Sequence, residues 1–274
     1  MRKYPELALS GGAARGAYQF ALVKTLIENG YEFGHISGTS IGAINAYLLS
    51  SDLLDTGEYI WKEEVPKLFG RREKIQAIFR GATMKDGLFS PEPISSMLNR
   101  FVNLKAIRKP FTAHCVDAEG SVIGFRSNMF TNDDQLREAL RGAVAIPGVF
   151  PPVNYVYNLE GEYNQLIDAG VRALIPPYDI GKKRMVVTVR NDLSKIDYYP
   201  GGTWIDNLLR TYELMTGEIA RGDLLPDDLV ISPTPELSPP YDFTLQAIER
   251  NWNIGVEQAG IMIRKDTHSD TSKR

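Results

Sequence analysis

The sequence predicts an α/β fold, with a central, mostly parallel sheet covered by helices. Three observations carry that expectation. Short apolar runs alternate with stretches of helical period from the N-terminus onward. Two Gly-rich turns, at Gly11–Gly16 and Gly38–Gly42, each end an apolar run and open a helical one. Met185–Val189 is almost wholly apolar and β-branched, as a strand buried on both faces is. A strand–helix–strand–helix order argues for parallel strands joined by covering helices.

The elements follow in chain order. Residues 6–9 read as a short strand, and Ser10–Gly16 as a loop. From Ala17 the period changes. Phe20, Val23, Leu26 and Ile27 recur at helical spacing, and Gly30 stands where a helix C-cap belongs. A second strand runs from Phe33 to Ser37, and a second helix follows from Ala43 to Ser50. Between Asp52 and Lys109 the pattern is less regular, with helices expected at Tyr59–Phe69, Arg72–Phe79 and Glu92–Phe101. Phe111–Asp117 and Ser121–Arg126, joined by Ala118-Glu119-Gly120, read as a hairpin. A helix with an acidic start is expected at Asp133–Arg141. Val153–Tyr157 and Tyr163–Asp168 read as strands about a turn at Gly161. Helices are expected at Thr203–Arg221 and Phe243–Ile263, Asp227-Asp228 reads as a solvated turn, and residues 265–274 as a flexible polar tail.

The chain has 274 residues, 43% hydrophobic and 24% charged, the balance of an ordinary globular protein. One domain over residues 1–264 is expected, with a helical, basic insertion at about 52–109. A net charge of −3 supplies no basic field for nucleic acid, so no nucleic-acid partner is expected. Cys115 is the only cysteine, which excludes an intrachain disulfide. Met1–Glu6 does not read as a signal peptide, and no apolar run approaches the roughly 20 residues of a spanning helix. The expected location is the cytoplasm, with peripheral membrane contact left open.

Gly38-Thr39-Ser40-Ile41-Gly42 lies between an expected strand and an expected helix, the context of a nucleophile elbow. Such a turn projects the serine hydroxyl from the sheet, and glycine fits where backbone meets backbone. Alone the pattern is weak, and a plain Gly-rich turn is the competing reading. Gly11-Gly12-Ala13-Ala14-Arg15-Gly16 has two readings, a phosphate-cradling loop or an oxyanion hole. It lacks both the Gly-Lys-Ser/Thr ending of a P-loop and dinucleotide Gly spacing, which favours the oxyanion hole. Gly11, Gly12 and Ala13 are the candidate contributors, with Gly12 and Ala13 the favoured donors. Arg15 is read first as a side chain that holds the loop, second as a ligand for an anionic head group. In a parallel sheet both turns fall at the C-terminal edge, which brings an oxyanion hole beside a nucleophile.

Together these turns resemble the patatin-like phospholipase family, which pairs a Gly-Gly-x-x-Arg-Gly loop with a Gly-x-Ser-x-Gly elbow. The family completes its site with an Asp in an Asp-Gly-Gly or Asp-Gly-Ala motif. Here Ile167-Asp168-Ala169-Gly170 follows an expected strand at a suitable distance, and Ala145-Ile146-Pro147-Gly148-Val149-Phe150-Pro151 resembles the segment upstream. Ala169 departs from the usual glycine, and Gly170 retains backbone freedom. The resemblance covers about residues 6–175 and implies a three-layer sandwich with helices on both sheet faces. It also implies a catalytic Ser40–Asp168 dyad, supported by Arg15, Gly16, Gly38, Gly42 and Gly170.

The histidines fit a dyad better than a triad. His35 lies in the strand before the elbow, His114 in a hairpin strand and His268 in the polar tail. The order Ser40, Asp168, His268 would satisfy a triad, but a loose tail does not hold an imidazole within about 3 Å of a hydroxyl. An ordinary Asp, with a pKa of about 3.9, is a poor base at neutral pH, and burial raises it. Leu166, Ile167, Val171 and Pro147–Val153 are the apolar neighbours expected to do so. No metal-ligand spacing occurs, and no metal or cofactor is expected.

Residues 65–109 carry ten basic against three acidic residues, interleaved with Leu68, Phe69, Ile75, Ile78, Phe79, Leu88 and Phe89. Two readings stand, a solvated helical insertion, slightly preferred, and a lid that meets anionic lipid. The implied function is hydrolysis of an acyl ester in a membrane lipid or lysolipid, of the phospholipase A or lysophospholipase type. Acyl transfer to another acceptor, or a non-catalytic lipid-binding module, are the alternatives. Acyl-carrier acyltransferases place a His before the nucleophile, where this chain has Thr39.

Overall fold

In the computed structural model, which describes residues 2–69, 90–154, 156–158, 161–177, 183–191 and 204–271, strand β1 (Arg2–Leu9) leads into helix α1 (Gly16–Glu28). The chain returns along β2 (Tyr31–Thr39), parallel to β1, and turns into α2 (Ile41–Ser50). A helical run then passes from α3 (Leu54–Tyr59) through a π-helical turn at Ile60–Glu64 into α4 (Val65–Phe69). The helix expected at Arg72–Phe79 lies outside the described residues. After α5 (Glu92–Phe101), β3 (Phe111–Val116) joins β2 in parallel and β4 (Val122–Arg126) folds back on it as a hairpin.

The next segment differs from the expected pair of strands. After α6 (Asp133–Ala143), β5 (Val156–Asn158) and β6 (Gly161–Tyr163) form a separate two-stranded ribbon. Val153 makes only an isolated bridge to Leu166. Gln165, at φ 51°, breaks the expected second strand, so that β7 (Ile167–Asp168) pairs antiparallel with β3 instead. Beyond it, β8 (Arg184–Val187) lies parallel to β1 on the side opposite β2. Helix α7 (Trp204–Asp223), strand β9 (Leu229–Ile231) and helix α8 (Leu245–Thr271) complete the order. The main sheet runs β4-β3-β2-β1-β8-β9, with β7 against β3.

Side-chain alternation along the central strands separates two cores. Leu7, Leu9, Met185 and Val187 join the larger one, with Phe20 and Leu22 of α1 and Ala43 and Tyr47 of α2. The residues between them, Ala8 and Val186, face the other way and pack with Ala220 of α7. Neighbouring residues of a strand point to opposite faces. The sheet is therefore covered on both faces, and the fold is the three-layer α/β sandwich that the sequence predicts.

Two further differences have physical causes. Strand β9 has only three residues, too few for a periodic signal, and Asp228 beside it is no solvated residue. It accepts from Arg184 Nε at 2.8 Å and Nη2 at 3.0 Å, because a guanidinium buried at the start of β8 needs a countercharge. Residues 265–271, expected in the tail, continue α8. Asp266 pairs there with Arg2 at 2.7 Å and accepts a hydrogen bond from Tyr31, tying the helix to the start of the sheet.

Candidate active site

The turn from β2 into α2 is built by exclusion of side chains. A methyl group on Gly38 would lie 2.1 Å from the Gly42 carbonyl oxygen, and one on Gly42 would lie 2.4 Å from that of Leu9. Only glycine lets these backbones meet. Ser40 sits at the apex with φ 56° and ψ −132°, a strained conformation for a residue with a Cβ. The N-terminus of α2 begins directly after it, and the aligned peptide dipoles favour negative charge near Ser40.

The Gly-rich loop after β1 lies against this turn. A methyl group on Gly11 would come within 3.1 Å of Ser40 Cβ. The loop's N–H groups are not equivalent. Gly11 donates inward to the Leu174 carbonyl at 3.0 Å, and Ala14 to that of Pro240 at 2.8 Å. Those of Gly12 and Ala13 have no acceptor among the described residues. Arg15, only 3% exposed, donates from Nε to the Ser238 carbonyl at 2.9 Å, which fastens the loop to the chain before α8. Gly16 opens α1, and its carbonyl accepts from Asn45 Nδ2 at 2.9 Å.

A buried polar network, unforeseen in the sequence, sets the floor of the loop. Trp61 Nε1 donates to Asn45 Oδ1 at 3.0 Å, and Asn45 Nδ2 reaches Gln19 Oε1 at 3.5 Å. Gln19 Nε2 donates in turn to the carbonyls of Ser10 at 3.0 Å and Val187 at 2.9 Å. These contacts join β1, β8, α1, α2 and the π-helical turn beneath the site.

Asp168 arrives from β7 and is fully buried. Its N–H donates to the Ala145 carbonyl at 3.0 Å, and its Oδ1 accepts from the Gly170 N–H at 2.8 Å. Oδ2 is buried without a hydrogen-bond partner of regular geometry, although the Ser40 hydroxyl is close enough to favour the charged carboxylate. Burial dominates and raises the Asp168 pKa to about 7, against the pull of the Ser40 hydroxyl and the Gly170 N–H.

The histidines are engaged elsewhere. His35 Nε2 lies 2.9 Å from Thr112 Oγ1, and His114 Nδ1 lies 3.4 Å from the Gly38 carbonyl oxygen. His268 falls in the last turns of α8, where side chains lie outside the described residues. Among the described residues no three His, Cys, Asp or Glu side chains converge as a metal site. No described helix is long and apolar enough to cross a membrane. Arg71, Arg72, Lys74, Arg80 and Lys85 of the basic segment lie outside the described residues.

A cleft opens above Ser40, with Gly12 and Ala13 on one wall. Its other wall holds residues the sequence reading did not single out. Tyr212, Glu213 and Thr216 come from one face of α7, and Val189 and Arg190 follow β8. The 212, 213, 216 spacing marks a helix face turned inward, but nothing local says that the face meets a serine.

Comparisons with known proteins give the family and the fold. The family model for patatin-like phospholipases matches residues 7–178. Uncharacterized NTE family proteins of Mycobacterium bovis and Mycobacterium tuberculosis are 24% identical over 231 residues, which is 80% of this chain and 59% of theirs. The chain thus spans less than two thirds of these relatives. The crystal structure of VipD from Legionella pneumophila is similar in fold, with a TM-score of 0.51 and 12% identity over 96% of this chain and 67% of that one.

Proposed function

Because the chain belongs to the patatin-like phospholipase family, we propose that it hydrolyses fatty-acyl esters of membrane lipids or lysolipids through a Ser40–Asp168 dyad. The observation that carries this reading is the Asp168 carboxylate, buried beside Ser40 with its Oδ2 open and its pKa raised to about 7. Asp168 takes the proton from Ser40 Oγ as that oxygen attacks the ester carbonyl carbon. The oxyanion that forms accepts hydrogen bonds from the Gly12 and Ala13 N–H groups, each donor being worth about 3–4 kcal/mol of barrier. Collapse breaks the ester bond, and Asp168 returns the proton to the leaving alkoxide. Water then attacks the acyl-enzyme, giving its proton to Asp168, and the same donors hold the second oxyanion. Release of the acid returns the proton to Ser40.

Acyl transfer to an alcohol acceptor would use the same first half, and the second half distinguishes the two. The test is lipid mass spectrometry of a mixed membrane extract incubated with wild type and Ser40→Ala. Free fatty acid released only by wild type is the expected outcome. A new acylated lipid in place of free acid would establish the transferase. Equal products from both proteins would remove Ser40 from the reaction.

A further inference from the structure

We propose that Tyr212 is a further catalytic residue, whose phenol oxygen holds the water that attacks the acyl-enzyme. The inference rests on the Ser40–Asp168 reading and adds a residue to its second half. Tyr212 stands on α7 and lines the cleft together with Ser40, Gly12 and Ala13.

Gly170 shows where the hydroxyl lies. A methyl group on Gly170 would come within 2.7 Å of the Tyr212 hydroxyl oxygen and 3.1 Å of Asp168 Oδ1. The phenol and the carboxylate thus border one small space, kept open because Gly170 has no side chain. Leu174 Cδ1, 3.3 Å from the same point, offers no polar group. No hydrogen bond joins phenol and carboxylate directly, and none engages the Tyr212 hydroxyl among the described residues. Two oxygens that face one gap without bonding suit a single bridging water.

Two features fit the phenol to that task. Burial, and next the Asp168 carboxylate, push its pKa well above the ordinary range of a phenol, so the group stays neutral. A neutral phenol oxygen accepts a hydrogen bond, which an ammonium or a guanidinium does not. The helix turn that carries it is also fixed. Arg190, just beyond β8, donates from Nη2 to the Glu213 carbonyl at 3.0 Å and to Thr216 Oγ1 at 3.2 Å.

In the deacylation step, one water hydrogen points to the Tyr212 oxygen. The other passes as a proton to Asp168 while the water oxygen bonds to the acyl carbon. The carbonyl electron pair moves onto the oxyanion. On collapse that pair re-forms the carbonyl, the bond to Ser40 Oγ breaks, and Asp168 returns its proton to Oγ. A water held by Asp168 alone turns about one contact, whereas a second contact aims its lone pair at the carbon.

The test is pre-steady-state release of p-nitrophenol from p-nitrophenyl butyrate. This leaving group departs as a stable anion, so acylation makes little demand on the phenol, whereas deacylation needs the water. Tyr212→Phe removes one oxygen and keeps the ring. The first turnover should keep the wild-type rate, while the steady rate falls about tenfold or more. Butyryl-Ser40 should accumulate in intact-protein mass spectrometry, and hydroxylamine, a stronger nucleophile than water, should restore the steady rate. Gly170→Ala puts a methyl group into the gap with Tyr212 in place, should slow the same step, and decides the matter if Tyr212→Phe does not fold. First-turnover and steady rates that fall together overturn the proposal, since they mark a packing or substrate-binding residue. Unchanged rates overturn it as well. Turnover that persists in Ser40→Ala is a different failure, that of the dyad, and the role of Tyr212 falls with it.

Discussion

A carboxylate buried beside a hydroxyl is a costly charge, and that cost makes Asp168 basic. At about 7 its pKa lies near neutral pH, where an ordinary Asp is too weak a base. The activity should therefore rise with pH through about 7, as Asp168 becomes able to take the Ser40 proton, and kcat/KM against pH measures this limb. A flat profile between pH 5 and 8 would show that another group is the base. The effect on stability has the opposite sign. The folded pKa is raised above the unfolded value of 3.8, so the folded state binds the proton more tightly, and stability falls as pH rises from about 4 to 7. The difference corresponds to roughly 4 kcal/mol at most, fully lost above pH 7. Asp168→Asn should thus lower turnover by about 100-fold or more while raising the thermal midpoint at pH 8. A midpoint that drops would mean the charge is needed for folding. Gln19 acts at one remove, through the carbonyls of Ser10 and Val187. Gln19→Leu should lower kcat about tenfold with KM little changed, since it lets the Gly-rich loop after β1 drift without touching the cleft. A change confined to thermal stability would leave Gln19 a packing residue.

Among the elements, β8 is tied to a distant turn by one buried ion pair. Arg184 at its start is 1% exposed, and its carboxylate partner comes from the turn before β9. Asp228→Ala removes the carboxylate that grips two nitrogens of that guanidinium and should cost up to about 3–5 kcal/mol, read as a lower midpoint in urea. Double replacement by Arg184→Met and Asp228→Leu should recover much of the loss, because well-packed apolar residues remove the desolvation cost. If Asp228→Ala is nearly neutral, the remaining carbonyl partners of Arg184 are enough. The elements that were legible in the sequence are those with a complete local signal. Helix α1 has both its period and a glycine at its end, and the β3–β4 hairpin has its turn. Strand β9 has neither length nor alternation, and β7 is cut short by a left-handed residue whose identity, Gln165, carries no such signal.

Over the whole molecule, parallel pairing collects the chemistry at one edge. The loop after β1, the elbow after β2 and Arg190 after β8 meet there, and antiparallel β7 delivers Asp168 beside the end of β3. The basic segment at residues 65–109 is expected either as a solvated insertion or as a lid. If it forms a lid, reversing Arg71, Arg72 and Lys74 to Glu should weaken cleavage in anionic vesicles, at about 1 kcal/mol per side chain, and spare a short soluble ester. The gap should narrow with salt. Equal activity on vesicles would mark the segment as a solvated insertion. The sequence by itself determined the parallel α/β architecture and the pairing of a Gly-rich loop with a serine elbow. Both rest on local period and on the absence of side chains at particular positions, which neighbouring residues are enough to specify. Only the tertiary structure decided that Gly11 turns its N–H to Leu174 while Gly12 and Ala13 keep theirs open. It also decided that Asp168 is buried against Ser40, and that Arg190 is held by Glu213 in the same cleft. These depend on which remote surfaces pack together, because burial sets the pKa and the use of each donor, and burial is a property of the assembled fold.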